Sequence, residues 1–274
     1  MSVSLRPRLF AALLCLVVAW QGFGVLDAFG VRYSDRYLPL VLVLGNALPP
    51  LLGLTSQAVW RRAPTPEAGE TGLGGLVWLG FAAWGAWAGA YYLSAKHAAG
   101  LAQPLPLAWI TTWESNLPTF PASVLVYMGV HPLSALPFFG LRTVASVRRH
   151  AAGHFVLVCI SLACWLALPL TLPRAPLPPP EGSLGLWVLA SLRGNDPPLN
   201  LLPSTHCSMA VYAALSLRLV DRRLGVWASC TAAGILFATV LTRQHYLLDV
   251  VTGASLGLGV WMVAMRPFAR VAHG

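Results

Sequence analysis

Charge is scarce in this chain. Only 10% of its 274 residues are Asp, Glu, Lys or Arg, and just nine of them are acidic. With 57% hydrophobic residues and a mean hydropathy of +0.66, the composition excludes an ordinary soluble globular domain. Cysteine spacings of the metal-binding kind are also missing. Cys15, Cys159, Cys164, Cys207 and Cys230 are scattered, most of them inside apolar runs, and read as small core residues. No repeat of fixed period is visible, and nothing looks like a separable soluble domain. The first apolar run follows Arg6 and Arg8 but carries no convincing small-residue cleavage pattern, so it reads as a retained anchor.

What the chain has instead is a series of apolar stretches. A bilayer core takes about 20 mostly apolar residues per helix. Stretches of that kind lie near 9–29, 38–60, 73–93, 122–141, 153–172, 206–220, 224–241 and 247–265. Interruptions by Gly and Pro and the shortness of 206–220 leave seven or nine spans open as alternatives. The expected fold is an all-α polytopic membrane helical bundle of about eight transmembrane helices. Residues 1–72 hold two of them and a polar cytoplasmic linker at 63–72, and residues 73–274 form a six-helix core.

The net charge of +9 invites a nucleic-acid reading, but the basic residues alternate between sides of the predicted spans. With a cytoplasmic N-terminus, twelve of the 18, including Arg61, Arg62, Arg148, Arg149, Arg222 and Arg223, fall on the inner side. Arg32, Arg36, Lys96, Arg174, Arg193 and Arg243 fall on the other. The positive-inside rule then places both termini inside, and the bilayer, not nucleic acid, is the partner. The outer side holds a proline-rich loop, 173–204, stiff enough to wall or cover a site. It also holds the segment 94–121, whose Trp109, Trp113 and prolines suit headgroup depth. Gly85 with Gly89, and Gly253 with Gly257, allow close helix approach, read here as packing within one chain.

Two short runs on that outer side carry ionisable groups next to apolar helices, where such groups are costly and suggest chemistry. One is Pro203-Ser204-Thr205-His206, and the other is Arg243-Gln244-His245-Tyr246-Leu247-Leu248-Asp249. His245 and Asp249 are four apart and share a helical face, where the carboxylate can hold the imidazole in one tautomer for nucleophilic or base chemistry. The competing explanation is a structural His–Asp hydrogen bond. His206 opens another helix, where unpaired N–H groups and the macrodipole favour an anion. It could act as a general acid there, with Ser204 and Thr205 aiming donors at phosphate oxygens. Arg243 and Arg174 are candidate phosphate clamps, because a guanidinium offers a planar fork to two oxygens. Snorkelling at a helix end is the plainer explanation for Arg174, and no role attaches to Arg193.

These residues resemble the type 2 phosphatidic acid phosphatase superfamily, whose signatures are roughly Lys-x6-Arg-Pro, Pro-Ser-Gly-His and Ser-Arg-x5-His-x3-Asp. The second appears as Pro203-Ser204-Thr205-His206, with threonine in place of glycine, and the third ends as His245-x3-Asp249. Ala238 and Thr239 stand where Ser-Arg is usual, and the first signature is reduced to Leu170-Thr171-Leu172-Pro173-Arg174-Ala175-Pro176, without its lysine. In motif style the chain is closest to the inositol phosphorylceramide synthase-like branch, which the run Trp113-Glu114-Ser115-Asn116-Leu117-Pro118-Thr119-Phe120-Pro121 and Tyr127 also resemble.

The resemblance implies His245 as nucleophile, Asp249 as its orienting partner and His206 as general acid. Arg174, Ser204, Thr205 and Arg243 would bind phosphate, with no cofactor and no metal. The implied activity is hydrolysis of a lipid phosphate monoester or pyrophosphate through a phosphohistidine. The alternatives are transfer of a phospho-headgroup to another lipid and non-catalytic binding of a lipid phosphate. The alanine-, leucine- and arginine-rich composition is compatible with a bacterial inner membrane and a periplasmic site.

Overall fold

A computed structural model describes Leu13, Asp27 and residues 77–101, 103–104, 113–114, 116–141 and 143–267. Apart from Leu13 and Asp27, the expected spans at 9–29 and 38–60 and the linker at 63–72 lie outside the described residues, as do residues 102, 105–112 and 115 of the 94–121 segment, so the expected count of about eight spans rests on the sequence. The described part is mostly helical. Its helices are α1 (Val77–Ala98), α2 (Ser123–Tyr127), α3 (Val130–Gly140), α4 (Val144–Ala167), α5 (Leu184–Asn195), α6 (Thr205–Leu217), α7 (Arg222–Leu241) and α8 (Leu247–Ala264). The only strands among the described residues are β1 (Gln103–Pro104) and β2 (Leu170–Thr171), paired in parallel.

Local chemistry explains where the helices start. Thr143 and Ser146 form a reciprocal capping box at α4, so that helix begins nine residues before the expected stretch at 153–172. Asp221 accepts from the Leu224 N–H at 2.8 Å to open α7. Ser183 accepts from the Leu186 N–H at α5, with the Asp27 carboxylate receiving the Gly185 N–H beside it. α5 itself departs from expectation, because the proline-rich outer segment read as a loop contains a 12-residue helix. Its prolines flank the helix and do not enter it.

Among the described residues four stretches are long and apolar enough to cross a membrane: 123–140, α4, α7 and α8. Met128 and Gly129 keep right-handed helical angles, so α2 and α3 run on as one of them. α6 is different. Its 13 residues rise only about 20 Å, short of a bilayer core of about 30 Å. It is the inner helix, packed against α3, α4, α7 and α8 and buried along nearly all its length.

The α6–α8 crossing is close because two glycines allow it. A Cβ built on Gly253 would lie 2.3 Å from the Ser204 carbonyl oxygen, and one on Gly257 would lie 2.4 Å from that of Ser208. Expected intrachain packing holds for this pair. At Gly85 and Gly89 a Cβ would meet nothing within 4 Å. Chain direction alternates around α6, so the starts of α6 and α8 and the ends of α4 and α7 gather at one end. At the other end the Tyr212 hydroxyl donates to the His150 carbonyl at 3.0 Å, and Gly153 faces Ala264.

Candidate active site

The first of these ends brings His206 and His245 together, with ring centroids 5.9 Å apart. Both are buried, at 5% and 7% exposure. His245 follows the turn that ends α7 and immediately precedes α8. Its Nδ1 lies 3.1 Å from the Leu201 carbonyl oxygen and 3.5 Å from Asp249 Oδ2. A carbonyl only accepts, so Nδ1 carries the proton and Nε2 the lone pair. The Leu201 carbonyl is thus the closer orienting group and Asp249 the second. Asp249 Oδ2 also accepts from the Tyr246 N–H at 2.9 Å, which makes Asp249 the N3 partner of the capping box that opens α8 as well as the carboxyl beside the imidazole.

His206 is the second residue of α6. Its Nε2 is 2.9 Å from the Tyr127 hydroxyl, while its Nδ1 is buried without a partner among the described residues. Aromatic rings surround it: Tyr127 at 4.7 Å, Trp87 at 5.8 Å and His131 at 5.9 Å between centroids. Both α6 and α8 direct their N-termini at this end, so two macrodipoles favour negative charge there.

The expected phosphate-binding residues are less uniform. Ser204 accepts from the Cys207 N–H at 3.4 Å as the cap of α6, and its own N–H donates to the Asp249 carbonyl at 3.0 Å. Thr205 accepts from Trp87 Nε1 at 3.1 Å. Arg174 donates from Nε to the Arg243 carbonyl at 3.1 Å, from one terminal nitrogen to the Asp196 carbonyl at 2.9 Å and from the other to Gln244 Oε1 at 2.8 Å. Burial lowers the pKa of Arg174, opposed by Asp196 and the nearby tyrosines. Arg243 donates to the Glu114 carbonyl and adopts φ 58°, a left-handed conformation at the end of α7 that costs a non-glycine residue about 1 kcal/mol. Glu114 in turn accepts from the Leu247 N–H at 2.8 Å. Arg174 and Arg243 thus brace the turn that presents His245.

Several residues here escaped the sequence reading. Asp196 receives the Tyr91 hydroxyl, and burial raises its carboxyl above the ordinary range, with Tyr91, Arg174 and His245 pulling the other way. Burial likewise raises Glu114. Asp196 is one of only nine acidic residues, a scarcity that could have marked it. His131, inside an apolar run, carried the same kind of signal. Trp87 and Tyr91 carried none, since α1 is rich in aromatics throughout. Among the described residues, six of the ten buried polar atoms that lack partners belong to His131, Arg193, Asn200, His206, Gln244 and Asp249 around this end. Such atoms are costly in a core and concentrate where chemistry is done.

Among the described residues no three His, Cys, Asp or Glu side chains are grouped to hold a metal ion. No family model matches the chain. No curated protein and no solved structure is significantly similar to it.

Proposed function

We propose that this chain is a multi-pass membrane enzyme that hydrolyses a lipid phosphate monoester or pyrophosphate through a phosphohistidine on His245. The observation that carries the reading is the pairing of two buried imidazoles with opposite free nitrogens. His245 offers Nε2 with its lone pair, held by Leu201 and Asp249, and His206 lies 5.9 Å away with Nδ1 unpaired. In the first step His245 Nε2 bonds to phosphorus as the bond to the leaving oxygen breaks, the lipid oxygen of a monoester or the bridging oxygen of a pyrophosphate, and protonated His206 gives that oxygen its proton. In the second, His206 takes a proton from water, whose oxygen bonds to phosphorus as the P–N bond breaks. The two helix N-termini favour the charge on the transferred group.

The reading extends to membership of the type 2 phosphatidic acid phosphatase superfamily and to about eight spans, with the motif end extracytoplasmic. Its setting would be a bacterial inner membrane with cytoplasmic termini and a periplasmic site. The charge pattern supports this orientation, because Arg148, Arg149, Arg222 and Arg223 occur near the helix ends remote from the histidine pair. The test is release of inorganic phosphate from a panel of lipid phosphates by purified wild type and His245→Ala, without added metal. Release by wild type that is lost in the variant is expected. Folded wild type that releases none from any of them sinks hydrolysis, and phospholipid donors with a lipid alcohol acceptor then test headgroup transfer.

A further inference from the structure

Beyond the histidine pair, Thr171–Leu177, the end of α5 and Pro198 line an open groove of about 540 Å³. Its surface is mostly apolar, and its two charged lining residues are Arg174 and Arg193. Arg193 comes from the last turn of α5. It donates to the Ala175 carbonyl at 2.9 Å and to the Thr242 carbonyl at 3.0 Å. A guanidinium has five N–H donors. Arg193 Nε is buried and unpaired, and no carboxylate among the described residues pairs with Arg193. Burial and the like charges of Arg174 and Arg243 lower its pKa to about 10. A cation held beside other cations, with donors unused, has a reason to be there if an anion shares the site.

The connection to His245 runs through the turn that precedes it. Arg193 binds the Thr242 carbonyl, and Arg174 binds the Arg243 carbonyl and the Gln244 side chain, so the groove adjoins the residues leading into His245. Arg174 lines the groove and also contacts Gln244, the residue before His245.

We infer that the Arg174–Arg193 groove receives a second phosphate of the substrate, so that the preferred class is a lipid diphosphate and not a lipid monophosphate. This rests on the phosphoryl-transfer reading of His245. Arg193 is then a specificity-determining residue, contacting the phosphate that is not attacked, and Arg174 bridges the two phosphates.

The test uses the full chain in detergent and two lipids that differ only in bearing one phosphate or a diphosphate. Values of kcat/KM are measured for wild type, Arg193→Gln, Arg193→Lys and Ala190→Glu, the last placing a carboxylate in the groove without touching the Thr242 contact. Arg193→Gln and Ala190→Glu are expected to lose about tenfold or more in the ratio of diphosphate to monophosphate kcat/KM, the effect of one charge-assisted hydrogen bond. Arg193→Lys should keep most of the preference. Equal losses on both lipids in Arg193→Gln, with Ala190→Glu unaffected, would show that Arg193 only braces the turn and would overturn the inference. Calorimetric titration with methylenediphosphonate and methylphosphonate separates the two claims. Arg193-dependent preference for the diphosphonate in a protein that turns over neither lipid keeps the subsite and removes the phosphoryl-transfer reading. Monophosphate turnover without that preference removes the subsite alone.

Discussion

Each imidazole of the pair gives one nitrogen to the protein and keeps the other. For His245 the protein side is Nδ1, with Leu201 and Asp249; for His206 it is Nε2, with Tyr127. That division is what nucleophilic and acid–base roles require, and it follows from backbone geometry as much as from the aspartate. Asp196 is the less expected member of the group. Its folded-state pKa is raised, chiefly by burial, so the folded protein holds this proton more tightly than the unfolded chain does. The charged carboxylate therefore lowers stability above the unfolded pKa, and the cost grows until pH passes the folded value. Asp196→Asn removes that cost. The variant should gain in Tm over wild type at pH 7 and show a smaller gain, or none, at pH 4. Thermal unfolding at the two pH values measures this, and a gain larger at pH 4 would contradict the stated cause.

At the scale of elements, the crossing of α6 and α8 sets the distance between the two histidines. Ser204 precedes α6, Asp249 lies in the first turn of α8, and the Ser204 N–H to Asp249 carbonyl bond of 3.0 Å joins them. Gly253 and Gly257 make that proximity possible. Ala at either position pushes a methyl group into a backbone carbonyl and should cost about 1–3 kcal/mol, with reduced turnover because the helix starts separate. Gly85→Ala and Gly89→Ala meet no neighbour among the described residues and should be neutral or gain up to about 1 kcal/mol through lower unfolded-state entropy. Denaturation of the four variants in one detergent checks the contrast. Equal losses at all four would show that the crossing is not the sensitive contact.

Across the whole molecule, apolar length made the helices legible and polar sparsity made the site legible. The stretches near 206–220, 224–241 and 247–265 coincide with α6, α7 and α8 to within a few residues, because the apolar runs begin close to Ser204 and Asp221, which cap α6 and α7, and to Asp249 in the first turn of α8. The start of α4 was hidden behind Arg148 and Arg149, which read as inner-side topology signals and instead lie inside the helix, just past its capped first turn. α5 was hidden among prolines. Spacing alone could relate His245 to Asp249, but not His245 to Leu201 or His206 to Tyr127, which are pairings across 44 and 79 residues. Length also misleads at α6, which looks like a short span and is the buried centre of the bundle. The proposed orientation has its own check. In a chain with its native cysteines replaced, a membrane-impermeant thiol reagent should label Pro178→Cys in intact cells and Arg223→Cys only after permeabilisation, both positions being exposed. The reverse pattern would place the histidine end in the cytoplasm.

The central claim is a covalent phosphohistidine, and rapid quench during turnover of a lipid phosphate, followed by peptide mass analysis, tests it most directly. The account predicts an acid-labile, alkali-stable phosphoryl group on the peptide containing His245, absent from His245→Ala. Sustained turnover with no adduct on that peptide, or with the phosphoryl group on another residue, would contradict it.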